Sequence, residues 1–383
     1  VKKILIITRN LPPLVGGMER LNWHMADELS KYAEVRVIGP RGSKALKPEN
    51  IRLSEAPLKP FPLFMLIAFI KAIWFALIDR PDIILAGSGL TAPLALIASK
   101  SIGAKSSAYL HGLDIIVSNK LYQVIWVPLL SRIDNIIVNS IPTKQLALEA
   151  NIAERKISVV HPGVDLSIAA KSAESLQAFK QKYGLENRKI LLSIGRLTTR
   201  KGLKEFVENS LPVIVKQEKS AILVIVGEAP TNSLGAEVQS RESIEHAAQA
   251  NGVGDHIKIL GRVNEEILTL ILLSADVHIF PIRYIKGDPE GFGMVALEAA
   301  AHGLPTVAFA TGGVIDAVGD EQSGYLVSSG DYLMLASKII HIIQNDKLKW
   351  QSSSLNFAKN FAWPNFGMKI IASLQQSFGD KKR

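Results

Sequence analysis

This sequence predicts a chain of two parallel α/β layers, and three observations carry the prediction. Short runs of aliphatic and β-branched residues alternate with longer helical patterns along the chain, as in sheets covered on both faces. Turns containing glycine or proline follow several of those runs, at the sheet edge where such folds bind ligands. At 383 residues the chain is too long for one ordinary core, so two domains are expected.

In order, Lys3–Thr8 reads as a first buried strand rather than an export signal, and leads into Arg9-Asn-Leu-Pro-Pro-Leu-Val-Gly16-Gly17-Met-Glu19. A helical pattern through Leu21, Met25 and Leu29 follows. A strand, a glycine pair and a helix make a mononucleotide-binding start, although a Gly-Gly pair alone also suits a plain tight turn. Val35–Ile38, Pro81–Ala86, Ser106–Leu110, Ile133–Asn139 and Ile157–Val160 read as further strands. The fourth strand ends in His111-Gly112-Leu-Asp114, so His111 stands either at a ligand edge or as a hydrogen-bonded structural histidine. His161 reads as structural.

Residues 61–78 form the most hydrophobic segment, interrupted only by Pro62 and Lys71. As a helix from Leu63 it spans about 24 Å, short of a ~30 Å hydrocarbon core, so a transmembrane span is rejected. Packing in the core is the preferred reading. Contact with an anionic membrane surface stays open through Lys59, Lys71 and Arg80, which are placed to snorkel.

Residues 166–188 carry no strand signal and read as the crossing to a second domain. There Lys189–Gly195 is a strand, followed by Arg196-Leu-Thr-Thr-Arg-Lys201-Gly202 and a helix from Leu203. Arg and Lys in a turn at a helix start suit a phosphate clamp, and equally a solvated surface turn. Ala221–Val226, Ile257–Leu260 and Asp276–Pro281 are the next strands, with Gly312-Gly313 and Gly324 marking later strand ends. Phe361-Ala-Trp363-Pro starts a terminal helix, and the basic tail Asp380–Arg383 reads as a frayed end.

The densest signal is Asp288-Pro-Glu290-Gly291-Phe292-Gly293-Met294-Val295-Ala-Leu-Glu298, continuing to Gly313: an acidic glycine turn, a helix, a strand and a second glycine turn. A helix start there presents unpaired N–H groups to an anion or a sugar oxygen. Eight helical residues would separate Glu290 from Glu298 by about 12 Å and turn through roughly 800°. A retaining glycosidase pair needs about 5–5.5 Å, so the two carboxylates are expected to hold different parts of one extended ligand.

Bulk composition fits this. With 48% hydrophobic and 21% charged residues the chain is globular, and with no cysteine it has neither disulfides nor a Cys-based metal site. The net charge of +9 is concentrated in residues 1–167, where 20 Lys/Arg face 13 Asp/Glu, against 24 and 22 in the remainder. That favours an anionic partner, a phosphorylated substrate or anionic lipid, and equally suits plain solubility charge. Without basic runs interleaved with aromatics, nucleic acid ranks last.

Glu-x7-Glu within E-G-F-G-M-V-A-L-E-A-A-A-H-G-L-P resembles the signature of the family 4 retaining glycosyltransferases. P-P-x-x-G-G-x-E, H-G-x-D and G-R-L-x-x-x-K-G resemble the family's other motifs in the same order. The resemblance implies the GT-B fold, two facing Rossmann-like domains: 1–167 for the acceptor, 168–360 for the nucleotide-sugar donor, and 361–383 as a helix returning to the first. It implies that Gly16 and Gly17 admit the donor diphosphate and His111 faces the transferred sugar. Arg196 and Lys201 would hold the diphosphate, and Val263 would meet the nucleobase. Glu290 would meet the sugar and Glu298 the ribose, with Gly291, Phe292, Gly293, Met294 and Val295 lining the donor. No DxD-like pair flanks these motifs, so no metal or other cofactor is expected. The implied setting is cytoplasmic, at the inner face of the cytoplasmic membrane, with a glycan or lipid-linked acceptor in envelope polysaccharide, lipopolysaccharide or glycolipid assembly. Within the fold, an epimerase or a phosphorylase stands as an alternative, and nothing marks a pyridoxal phosphate lysine. An NAD-dependent oxidoreductase fits the layers but lacks GxGxxG, and a non-catalytic binding protein of the same fold remains a further reading.

Overall fold

A computed structural model describes residues 1–167, 171–230, 237–345 and 347–379. The chain divides into two compact units, Val1–Gly163 with Ala362–Arg383, and Val164–Phe361. The sequence reading placed these divisions at 167/168 and 360/361. The proposed frayed tail and residues 168–170 of the crossing lie outside the described residues.

The first unit is built on seven parallel strands: β1 (Lys3–Ile7), β2 (Glu34–Pro40), β3 (Ile51–Ala56), β4 (Ile83–Ala86), β5 (Lys105–Leu110), β6 (Asn135–Val138) and β7 (Ile157–Val159). Their order is β3-β2-β1-β4-β5-β6-β7, so the winding reverses between β1 and β4. Strands β1, β4 and β6 are almost wholly apolar and buried, as expected of central strands covered on both faces. β3 is absent from the sequence reading. It is an edge strand, and its Ser54 and Glu55 weaken the apolar run while its middle stays half exposed.

Helix α1 (Gly17–Ser30) buries Leu21, Met25 and Leu29, the three residues of its periodic pattern. The C-terminal helix Trp363–Gly379 packs on α1 within this unit. His24 stacks on Trp363 with ring centroids 3.9 Å apart and planes 9° apart. Gly163 and Gly367 are needed there, because a Cβ would lie 2.3 Å from the Trp363 ring and 2.7 Å from Glu28 respectively.

Helix α2 (Phe61–Asp79) corrects the expectation of core packing. Only Phe64, Ala68, Ala72 and Ala76 are buried, a seam of mostly small residues at i, i+4 spacing. That seam lets the helix approach α3 (Ala92–Ile102) and the sheet closely, and the large side chains are left outside. Lys71 also departs from its expected role. Its ammonium donates to the Ser54 hydroxyl at 3.0 Å and to the Glu55 carbonyl, so it is tied to the edge strand.

The second unit repeats the plan with six parallel strands: β8 (Lys189–Ile194), β9 (Ala221–Val226), β10 (Ile257–Gly261), β11 (Val277–Phe280), β12 (Thr306–Phe309) and β13 (Gly324–Val327). Their order is β10-β9-β8-β11-β12-β13, and the reversal lies between β8 and β11. Gly324 opens a strand instead of ending one; a Cβ on it would sit 1.7 Å from the Thr306 carbonyl oxygen. The segment read as a plain crossing contains the helix Ala173–Lys182, whose Ser172 cap accepts from the Ser175 N–H. Its Phe179 packs under β8 and β9.

Candidate active site

In the second unit the expected donor residues gather at the carboxyl ends of β8 and β11, where the winding reverses. This is the crevice in which open parallel sheets bind ligands. β8 ends at Ile194 and the chain turns through Gly195 and Arg196 into a single 3-10 turn, Thr199–Lys201. Gly202 then adopts a left-handed φ of 65° and opens the helix Leu203–Asn209. Only glycine fits there, since a Cβ would lie 2.2 Å from the Pro281 carbonyl oxygen. The Arg283 N–H donates to the Arg200 carbonyl at 2.9 Å, which ties this turn to the chain leaving β11.

That chain carries Asp288 and Glu290. Arg200, 7% exposed, pairs with both: its Nε lies 3.2 Å from Asp288 Oδ1, and its Nη1 donates to Glu290 Oε2. The Lys201 ammonium lies 2.9 Å from the same Glu290 oxygen and 4.6 Å from the centroid of the Phe280 ring. Arg196 is exposed beside them. Burial and the neighbouring guanidiniums of Arg200 and Arg196 pull the Lys201 pKa well down from its ordinary value, and Asp288 opposes them. The cluster thus holds one buried and one part-buried cation against two part-buried carboxylates, with a third cation at its rim.

Helix Met294–Ala301 begins after Gly293, which has a left-handed φ of 97°. Glu290 therefore precedes the helix by a four-residue step and Glu298 sits in its second turn. The continuous eight-residue helical spacing assumed from the sequence does not exist, because Gly291 and Gly293 keep the approach irregular. Glycosidase-type pairing is countered on other grounds: Glu290 is engaged by Arg200 and Lys201. Phe292 is buried at 3% exposure among Phe280, Val314 and Ala317, so its contribution to any ligand is its backbone. Met294 and Val295 are partly buried at the head of the helix. Ahead of it, the Gly312-Gly313 turn cradles the acidic loop. The Gly313 N–H donates to the Glu290 carbonyl at 2.8 Å, and a Cβ on Gly313 would lie 2.0 Å from the Gly291 oxygen. Val263 follows β10 and packs against the β8–β9 core. Its neighbour Arg262 donates its N–H to Glu228 at 3.3 Å.

In the first unit the same edge holds Gly16, Gly17 and His111. Gly16 precedes α1, and a Cβ there would lie 2.4 Å from Glu19 Oε2; the Asn10 amide donates to Glu19 Oε1 at 2.7 Å and pins the loop. His111 follows β5 and is 8% exposed. Its Nε2 lies 3.0 Å from the Gly87 carbonyl oxygen, which can only accept. The Nε2 proton is thereby assigned, and Nδ1 is the nitrogen left to a ligand. Asp114 serves as a staple, accepting from the His111 N–H at 2.9 Å and the Gly89 N–H at 2.8 Å.

Sequence reasoning missed Arg200, whose signal was its place beside Lys201 in the same turn. It also missed Asn22, Ser88 and Asn139. Each of these has a buried side-chain oxygen without a hydrogen-bond partner among the described residues. Buried orphan acceptors and hydroxyls at a ligand edge are suited to a polyhydroxylated ligand. Among the described residues, no group of three or more His, Asp or Glu side chains is arranged to hold a metal ion.

Comparisons with known proteins bear on the family and the fold. The model of the glycosyltransferase family 4 domain matches residues 15–168, and that of the group 1 glycosyl transferases matches residues 176–359. The chain is 27% identical over 346 residues to the GDP-mannose-dependent alpha-(1-6)-phosphatidylinositol monomannoside mannosyltransferase of Mycolicibacterium smegmatis, covering 86% of each chain. It is 28% identical over 249 residues to the D-inositol 3-phosphate glycosyltransferase of the same organism, 64% of this chain and 54% of that one. Among solved structures it resembles Anabaena Alr3699/HepE in complex with UDP, with a TM-score of 0.80 at 21% identity over 98% of this chain and 100% of that chain. It also resembles sucrose-phosphate synthase from Thermosynechococcus elongatus, with a TM-score of 0.75 at 20% identity over 99% of this chain and 100% of that one.

Proposed function

Because this chain belongs to family 4 of the glycosyltransferases and has the GT-B fold, we propose that it moves a sugar from a nucleoside-diphosphate donor to an acceptor hydroxyl with retention at the anomeric carbon. The observation that carries the reading is the largely buried Arg200–Lys201–Glu290 cluster at the β8–β11 reversal. Lys201 and Arg196 meet the diphosphate, and the N–H groups at the head of Met294–Ala301 add donors to it. As the bond from C1 to the β-phosphate oxygen breaks, negative charge grows on that phosphate, and these fixed positive groups stabilise it. The acceptor oxygen bonds to C1 on the same face, and its proton passes to the departing phosphate oxygen. No side-chain nucleophile and no metal enter this scheme. Glu290 orients the sugar hydroxyls and Glu298 the ribose, while His111 offers Nδ1 to the transferred sugar.

The acceptor we propose is glycan or lipid-linked, in envelope polysaccharide, lipopolysaccharide or glycolipid assembly, with the protein working in the cytoplasm at an anionic membrane face. Support comes from the positive first unit and from the phosphatidylinositol mannoside in the name of one relative. The test begins with a thermal-shift panel of nucleotide sugars, in which the cognate donor raises the melting temperature. Transfer from that donor is then measured with the wild type and with Glu290→Ala, in buffer containing EDTA. Glu290→Ala is expected to abolish transfer while circular dichroism is unchanged. Near-normal turnover by Glu290→Ala would overturn the assignment, and loss of wild-type activity in EDTA would overturn the metal-free scheme.

A further inference from the structure

Helix α2 is amphipathic the wrong way round for a soluble protein. Its buried seam is Phe64, Ala68, Ala72 and Ala76, while Leu63, Leu66, Ile70, Trp74 and Leu77 are 39%, 54%, 54%, 61% and 55% exposed. At 100° per residue these five fall within an arc of about 80°, a single stripe along a helix about 28 Å long. With Ile78, 60% exposed, the stripe presents on the order of 600 Å² of apolar surface, at the upper limit for the largest patch of an ordinary monomer. Neighbouring segments of the same unit extend it. α2 packs on α3, whose Ile97 is 50% exposed, and α3 packs on the short helix Val127–Leu130. The π-helical turn Tyr122–Trp126 before that helix exposes Val124 and Ile125, with Leu121 preceding it. The turn is anchored from below, Trp126 Nε1 donating to the Leu90 carbonyl at 3.0 Å and the Tyr122 hydroxyl to the Asp114 carbonyl at 2.8 Å.

Charge decides what covers this surface. The first unit carries 24 Lys/Arg against 13 Asp/Glu, a surplus of +11, while the second carries 20 against 22, a deficit of 2. Residues 57–132, which contain the patch, hold seven Lys/Arg and three Asp/Glu. All three acids are engaged internally: Asp79 with Arg36, Asp82 with the backbone N–H groups of Lys2 and Lys3, and Asp114 with those of His111 and Gly89. Lys59, Arg80, Lys100, Lys120 and Arg132 are exposed around the ends of the apolar helices. Large aliphatic side chains and one tryptophan within a cationic fringe match the boundary between acyl chains and anionic head groups.

We propose that α2 and the Leu121–Ile125 turn form a monotopic docking face that lies in the interfacial layer of an anionic lipid membrane. Its lipid assignment rests on the reading of a membrane-side acceptor, and it names the surface that meets the lipid. A transmembrane path is not implied, because the alanine seam is already buried in the α/β layer.

The experiment is co-sedimentation of the full chain with vesicles of equimolar phosphatidylglycerol and phosphatidylcholine, and with phosphatidylcholine alone, at low and high salt. Binding at least tenfold tighter to the anionic vesicles, weakened by salt, is expected. The triple variant Leu66→Ser/Ile70→Ser/Trp74→Ser, at exposed positions, is expected to bind at least tenfold more weakly with unchanged circular dichroism. Should it misfold, quenching by brominated lipid supplies the answer: wild-type fluorescence is quenched, and Trp74→Phe loses most of that quenching. Equal binding by the triple variant, equal quenching in Trp74→Phe, or no wild-type binding to anionic vesicles overturns the proposal. A concentration-dependent dimer dispersed by the triple variant, without vesicle binding, also overturns it and assigns the face to a second copy. Transfer to a water-soluble acceptor is a separate readout. If it fails while vesicle binding holds, the catalytic reading falls and the docking face stands.

Discussion

Arg200 offers the sharpest test of how the proposed donor site is held together. Its guanidinium side chain is 8% exposed and lies against Asp288 and Glu290, whose side chains are 16% and 14% exposed. Arg200→Ala leaves two part-buried carboxylates facing Lys201 alone. Removing one partner from a buried ion pair costs about 3–5 kcal/mol, because the remaining charge loses its compensation without regaining water. For a unit of about 200 residues, 1 kcal/mol moves the melting temperature by about 2–4 °C, so a fall of roughly 6–20 °C is expected in the transition of the second unit. Scanning calorimetry reads this directly. A double-mutant cycle with Asp288→Asn separates pairing from simple loss of packing, and a coupling of about 1.5 kcal/mol or more is expected. Additive effects, or an Arg200→Ala loss of about 0.5 kcal/mol or less, would show that the guanidinium is a bystander.

Further outcomes follow from single residues. His278 on β11 is fully buried, and burial, helped by Lys201, lowers its pKa to about 3. An unfolded chain takes up that proton first, near 6.5, so stability is lost as pH falls from about 6.5 toward about 3, by about 4–5 kcal/mol in all. His278→Leu should flatten denaturant midpoints across that window, and an unchanged pH slope would refute the role. Gly312→Ala places a methyl group 2.7 Å from the Glu290 carbonyl oxygen at a φ of 54°, and should weaken donor affinity measured by calorimetric titration; unaltered affinity would count against the cradle. His111→Ala should lower kcat by about 10²-fold or more with an intact fold, the loss expected of a group acting at the reacting centre. A turnover unchanged in His111→Ala would return the residue to the structural reading.

Much of this architecture was legible because the physics of its elements is local. Buried parallel strands such as Lys189–Ile194 and Ala221–Val226 are nearly continuous apolar runs, and few other local structures tolerate them. The turn around Lys201 and the glycines before Met294 were legible because left-handed backbone and close approach leave few residue choices. What escaped depended on tertiary neighbours. β3 is an edge strand with polar residues in its middle, so its pattern is diluted. Its place beside Lys201 aside, nothing in the sequence sets Arg200 apart; its role comes from the chain leaving β11, which folds two carboxylates onto it. The outward face of α2 was invisible to hydropathy, which records how apolar a segment is and not which of its sides the sheet has already taken.

Glu290 supplies an anion of the chain's own, seated on the ammonium of Lys201. Under the donor site proposed above, an arriving pyrophosphate would swap places with a tethered carboxylate. Such a swap moderates how tightly the spent nucleotide can cling, since a competitor joined to the same chain is always at hand to reclaim the cation. On that proposal, turnover would resemble ion exchange on a fixed resin, each cycle opening and closing on the same displaced side chain.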